Sequence, residues 1–270
     1  MSDFQLGVIG CGNMAQAIVR GVVAGGFLPA GAIVASDVAP AQREAMARLG
    51  AAAVEDNAKP AACPRVLLAV KPQVMKAVAE AAAPHVGPGA TVISIAAGVR
   101  TAALDAWLGG RGRIVRVMPN TPMLVGAGMS ALAAGPRATA ADVDWAEKLF
   151  ASCGRTVRVE ETLMDAVTAV SGSGPAYLFY LVEAMIEAGA AEGLPRETAA
   201  TLAAQTCLGA ARMMLESGES PEKLRAKVTS PNGTTQRAIE TLESAGVKPA
   251  LVKAIRAAAA RSRELGNPSH

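Results

Sequence analysis

The amino-acid sequence predicts an α/β N-terminal domain built on a parallel sheet, followed by an all-α C-terminal domain. Three observations carry that prediction. Through residues 1–160, strand-length apolar runs alternate with segments of helical spacing, the pattern of a parallel sheet buried on both faces. A glycine turn, Gly10-Cys11-Gly12, joins the first run to the first helical segment. From Thr162 onward the strand signals stop. The expected domains are therefore residues 1–162 and residues 163–270.

The first strand is "QLGVIG", and "GCGNMAQAI" follows with Gly10, Gly12 and Ala15 in G-x-G-x-x-G/A spacing. Gly10 permits a tight turn, Gly12 lets backbone approach a pyrophosphate, and small Ala15 lets the helix lie close to the strand. The helix N-terminus then offers unbonded N–H groups and a positive dipole end to phosphate. The second strand, "AIVASD", ends in Asp37, where an acid accepts ribose hydroxyls. This context marks residues 1–162 as a Rossmann-type dinucleotide-binding domain. The alternation continues through a helix near 40–49, strand "RVLLAV" (65–70), a helix from 73, strand "TVISIA" (91–96), a helix at 101–108 and strand "RIVRVM" (113–118). In open α/β sheets the ligand lies outside the carboxyl ends of the strands, so Lys71, Gly98 and the Met118–Pro122 loop are expected on the cofactor's side. A further strand pair, "GMSALAAG" and "GRTVRVEE", brackets a helix at 140–152.

Composition narrows the function classes. The residues are 51% hydrophobic and only 3% aromatic, which suits close-packed helices and a parallel sheet rather than a β-sandwich. With a net charge of +3 and no long Lys/Arg run, neither nucleic acid nor an acidic membrane is an expected partner. "MSDFQLGVIG" has no basic n-region or long apolar h-region, and no apolar run approaches a bilayer-spanning length, so a cytoplasmic protein is expected. The four cysteines are scattered and only two histidines occur, so no metal site is expected.

In the second half, "SGSGPAYLFYLVEAMIEAGAAEG" starts as a flexible Ser/Gly turn with Pro175 at a helix start. Apolar residues from Tyr177 to Ile186 occupy nearly every side of that helix. A helix apolar all round must be buried all round, and the remaining residues are too few to enclose it. A second copy of the domain is the expected cover, making residues 163–270 an all-α dimerisation domain. Helices follow at 196–217, at 221–227, and at 234–264 in two pieces broken near Gly246–Pro249. Between them stands "KVTSPNGTTQRAIETLE", four hydroxyl residues around a Pro-Asn-Gly turn in otherwise Ala- and Leu-rich helix.

Taken in order, "GVIGCGNMAQAI", "LLAVKPQ", "ISIAAGV", "RVMPNTP", "VSGSGPAYLFYLVEAM", "AQTCLGAARMML" and "VTSPNGTT" resemble the pyrroline-5-carboxylate reductase family along the whole chain. The resemblance implies reduction of a cyclic imino acid to proline with NADPH or NADH. It implies that Ser230 and Thr235 lie beside the imino acid as the catalytic pair, with Val228, Thr229, Asn232, Gly233 and Thr234 completing the substrate loop. The cofactor would be held by Gly10, Cys11, Gly12, Asn13 and Met14, by Asp37 and Asn57, by Ala69, Val70, Lys71 and Pro72, and by Ala97, Gly98, Pro119 and Asn120. Asn232 stands where the family's loop has its first glycine, and Asn tolerates left-handed φ better than other non-Gly residues. Asp37 favours NADH, whereas Arg43 and the family's commoner usage favour NADPH, so both cofactors are expected to work. Two alternatives stay open. One is another imine or 3-hydroxyacid-type NAD(P)-dependent reductase, against which stands the lack of any lysine between Lys148 and Lys223. The other is a non-catalytic dinucleotide sensor.

Overall fold

In the computed structural model, which describes residues 4–266, the chain divides into two compact units. One takes the described residues up to Ser173 together with those from Ala258 onward; the other is Gly174–Ala257.

The first unit begins with β1 (Leu6–Ile9), α1 (Asn13–Ala24), β2 (Ile33–Ser36), α2 (Pro40–Arg48) and β3 (Ala52–Val54). It continues with α3 (Ala58–Ala61), β4 (Arg65–Leu68), α4 (Pro72–Ala82), β5 (Thr91–Ser94), α5 (Thr101–Trp107) and β6 (Arg113–Met118). Then come β7 (Gly128–Ala134), α6 (Ala140–Ala151), β8 (Gly154–Arg158) and α7 (Met164–Val167). The eight strands form one sheet in the order β3-β2-β1-β4-β5-β6-β7-β8. All neighbours are parallel except β6 and β7. The strand order reverses between β1 and β4, so their carboxyl ends flank the crevice where such sheets bind ligands. Strands β1, β2 and β5 are buried at every residue, which is why they read as unbroken apolar runs. Helix α1 buries Ala15, Ala17, Ile18, Val19 and Val22 against the same core as Leu6, Val8 and Ile33. Each large apolar side chain so buried contributes about 1.5–3 kcal/mol.

Several expected boundaries shift. The runs assigned to strand at 65–70 and 91–96 leave the ladder at Leu68 and Ser94, and their last residues form the turns that face the crevice. The Ser/Gly segment before α8 is not a flexible turn. Thr168–Gly172 is a π-helical turn, closed by the Ser173 N–H donating to the Thr168 carbonyl at 2.8 Å, and Met118 packs on the bare face of Gly172.

The second unit holds α8 (Gly174–Ala191), α9 (Arg196–Ser217), α10 (Pro221–Lys227), α11 (Thr234–Ser244) and most of α12 (Val247–Leu265). Gly246, at φ +68°, separates α11 from α12, and Pro249 lies inside the first turn of α12, where its missing N–H has no helical partner to lose. In the single chain α8 is open to solvent, with Leu178, Phe179, Tyr180 and Leu181 each more than half exposed. The last turns of α12 belong to the first unit, where the buried Ser262 hydroxyl donates to Asp165 at 2.6 Å.

Candidate active site

The expected cofactor residues follow the carboxyl ends of successive parallel strands, and parallel pairing puts those ends on one edge of the sheet. Gly10 has φ +98°, and a Cβ there would meet the Ala69 backbone at 2.9 Å, so the turn after β1 packs on the turn after β4 with no room for a side chain. Gly12 is the opposite case: a Cβ would meet nothing within 4 Å. The backbone therefore lies bare beside the start of α1, whose N-cap Gly12 makes no side-chain cap. An open glycine before the uncapped N–H groups of Asn13 and Met14 is a cradle suited to a pyrophosphate. At α4 the exposed Lys71 is the N-cap and Pro72, which has no N–H, is the first residue, so what this end offers an anion is the Lys71 ammonium.

Asp37 is tied to this turn. Its Oδ2 accepts the Cys11 backbone N–H at 2.8 Å and its Oδ1 accepts the Ala39 N–H at 2.9 Å. Cys11 itself is a sealed residue. Burial, and then the nearby Asp37 charge, push its thiol up to about 12, and the thiol donates to the Ser36 carbonyl, so it stays protonated. The hydroxyl of buried Ser36 donates to Asn57 Oδ1 at 2.7 Å, which holds Asn57 at the start of α3.

After β5, Ala97 and Gly98 turn back beside the end of α12, where Gly98 lies against Leu265 and Gly266. After β6, Pro119 is buried, and the Asn120 amide bridges two segments. Its Oδ1 accepts the Met129 N–H at 2.8 Å and its Nδ2 donates to Ser171. Sequence reasoning missed the support behind these loops. Glu161 accepts the Thr101 N–H at 2.7 Å and its hydroxyl at 2.6 Å, and pairs with Arg116, fixing the start of α5 just past Gly98. The signal was a charge, Arg116, inside the apolar strand "RIVRVM"; at 3% exposure it needs a partner.

The second group of expected residues lies in the helical unit. Gly233 N–H donates to the Ser230 carbonyl at 3.0 Å, closing a turn with Pro231 and Asn232 at its centre. Asn232 is the one described non-glycine residue with positive φ, at 59°, so it adopts the left-handed conformation that favours glycine. Gly233 then caps α11 with no side-chain bond, Thr234 and Thr235 are the helix's first two residues, and the Ser230 hydroxyl rests on the Gly233 backbone. Thr229 is occupied otherwise, its hydroxyl donating back to Arg225 at 2.7 Å, while Val228 ends α10 exposed. The hydroxyls of Ser230, Thr234 and Thr235 make no hydrogen bond among the described residues, which leaves them with the first N–H groups of α11 as one donor set.

Known proteins share this layout. Residues 161–265 match the family model described as pyrroline-5-carboxylate reductase dimerisation, and residues 5–98 match that described as NADP oxidoreductase, coenzyme F420-dependent. A pyrroline-5-carboxylate reductase of Pseudomonas aeruginosa is 46% identical over 98% of each chain, and one of Pisum sativum is 40% identical over 98% of this chain and 97% of its own. The chain belongs to the pyrroline-5-carboxylate reductase family. Solved structures of family members agree. A reductase from Coxiella burnetii superposes with a TM-score of 0.91 at 39% identity, covering 98% of this chain and 99% of that one. The Plasmodium falciparum enzyme, solved with NADP bound, superposes with a TM-score of 0.89 at 29% identity over 99% and 100% of the two chains.

Proposed function

We infer that this chain reduces 1-pyrroline-5-carboxylate to L-proline with NADPH or NADH. What carries the reading to particular residues is the Val228–Thr235 loop, a set of hydroxyl and N–H donors at a helix start with no charged side chain inside it. The substrate carries a carboxylate and a cyclic imine. Backbone N–H groups at a helix N-terminus suit the carboxylate, and the Ser230 hydroxyl adds a donor. The Thr235 hydroxyl oxygen accepts from the N–H of the protonated ring nitrogen and holds it in place. When bound, the nicotinamide cofactor supplies the hydride. A protonated imine already carries its proton, so the residues have to orient rather than to act as strong acids. Such positioning supplies several kcal/mol. The open Gly12 cradle and the α1 N-terminus hold the pyrophosphate, and Asp37 faces the adenosine ribose.

The helical unit pairs with a second copy, which covers the apolar face of α8. We place the enzyme in the cytoplasm. No disulfide joins its four cysteines, as in a reducing compartment, and among the described residues no helix is long and apolar enough to cross a membrane.

The test is loss of reduced-nicotinamide absorbance with pyrroline-5-carboxylate, followed by identification of proline as product. Binding of cofactor without turnover would return the chain to the sensor reading, and turnover of six-membered imines alone would change the substrate.

A further inference from the structure

The turn after β2 carries the Asp37 carboxylate, and the guanidinium of nearby Arg43 is already engaged. Asp37 is held from two directions by the Cys11 and Ala39 N–H groups. A carboxylate has about four lone-pair sites, so two remain for hydroxyls of an adenosine ribose. Arg43 could in principle meet a phosphate there. Its Nη1 instead donates to the Asp37 carbonyl at 2.8 Å and to the Val38 carbonyl at 3.0 Å, and its Nη2 pairs with Glu55 at 3.4 Å. Glu55 stands just past β3 with its side chain 75% exposed. The guanidinium donors are therefore turned toward two backbone carbonyls and the Glu55 carboxylate.

We propose that Asp37 and Glu55 act together as specificity-determining residues that make NADH the preferred cofactor, Asp37 by accepting ribose hydroxyls and Glu55 by neutralising Arg43. A 2′-phosphate would bring roughly two further negative charges into this corner. This deepens the cofactor side of the reductase reading and rests on it only for the choice of turnover assay.

Two measurements test it. Calorimetric titration of the whole enzyme with NADH and NADPH reads binding alone, and steady-state kinetics with each cofactor reads kcat/KM. Wild type is expected to favour NADH by about tenfold or more in both, the scale of a single charge repulsion near a protein surface. Asp37→Ser is expected to bring the two cofactors within about threefold of each other. Asp37 also braces the Cys11 turn, so Glu55→Gln supplies a change on an exposed side chain that the fold does not need. It removes the counter-charge at Arg43 Nη2 and is expected to strengthen NADPH about two- to fivefold, most at low ionic strength, without weakening NADH. Wild type that prefers NADPH, or a Glu55→Gln enzyme with an unchanged cofactor ratio, overturns the proposal. Selective binding of NADH without imine turnover upholds it and overturns the reductase reading instead.

Discussion

Gln236 Oε1 accepts the backbone N–H of Asn232 at 2.8 Å, so a side chain from the first turn of α11 reaches back to hold the left-handed residue of the Val228–Thr235 loop. The same amide donates onward to Glu240 at 2.8 Å, which fixes its orientation. The loop is thus braced without drawing on the hydroxyls of Ser230 or Thr235.

Removing that brace should loosen the loop before it loosens the protein. Gln236→Ala is expected to lower stability by about 0.5–1.5 kcal/mol, the worth of an ordinary hydrogen bond, and to raise KM for the imino acid. Asn232→Ala, with φ at 59°, should cost about 1 kcal/mol, whereas Asn232→Gly should melt close to wild type. Thermal melting beside substrate titration separates the two effects.

Thr235 distinguishes a helix start from an active site. A residue serving only the helix end should cost about 1 kcal/mol of stability when changed to Ala and leave kcat alone. With its hydroxyl on the ring nitrogen, Thr235→Ala should lose roughly ten- to several-hundred-fold in kcat/KM with little change in melting temperature. Thr235→Ser should keep most activity, and Ser230→Ala should chiefly raise KM. A destabilised Thr235→Ala enzyme with full turnover would make this loop a turn and nothing more.

Helix α8 should not tolerate charge. Leu178 is 57% exposed in the single chain and lies on the face assigned to the second copy. Leu178→Asp would bury an unpaired carboxylate there at a cost of several kcal/mol. Light scattering should find wild type as a dimer or a larger assembly, and the variant monomeric or aggregated. A well-folded wild-type monomer at micromolar concentration would remove the second copy from the account.

Acid should weaken the sheet domain through Asp142. Burial alone would raise this carboxyl, but bonds from the Arg113 guanidinium, from Thr139 and from Thr91 outweigh it and hold the group well below the usual carboxylate range. The unfolded chain, with a carboxyl near the ordinary value of about 4, binds the proton first as pH falls. The stabilisation is therefore complete above that value and is lost as pH drops from it toward the folded value. Asp142→Asn should flatten that part of the stability–pH curve and cost about 1–3 kcal/mol at neutral pH by replacing charge-assisted bonds to a buried carboxylate with neutral ones. Denaturant melts between pH 2.5 and 7 would show it, as about the range in which such a carboxylate titrates in the unfolded chain.

Period and punctuation made most of the architecture legible in the residue order. Almost unbroken apolar runs such as "TVISIA" announced buried parallel strands, and helical spacing placed 196–217 and 221–227 where α9 and α10 lie. Gly10 and Asn232 were readable because positive φ admits few residue types, and the exposed apolar face of α8 because no soluble helix carries one without a cover. Local pattern failed wherever the partner was far along the chain. Strand β3, "AAV", has weak propensity and forms because β2 offers an edge. The π-helical turn before α8 sets Gly172 against Met118, and the Gly98 turn lies against Leu265, more than 160 residues later. Asp37 could be placed at the end of a strand, but its bond to the Cys11 N–H, the Arg43–Glu55 pair and the Asp142 network needed folding to exist. Hydrophobic period is a property of neighbours in sequence, whereas the hydrogen bonds that aim a functional side chain join residues that only packing brings together.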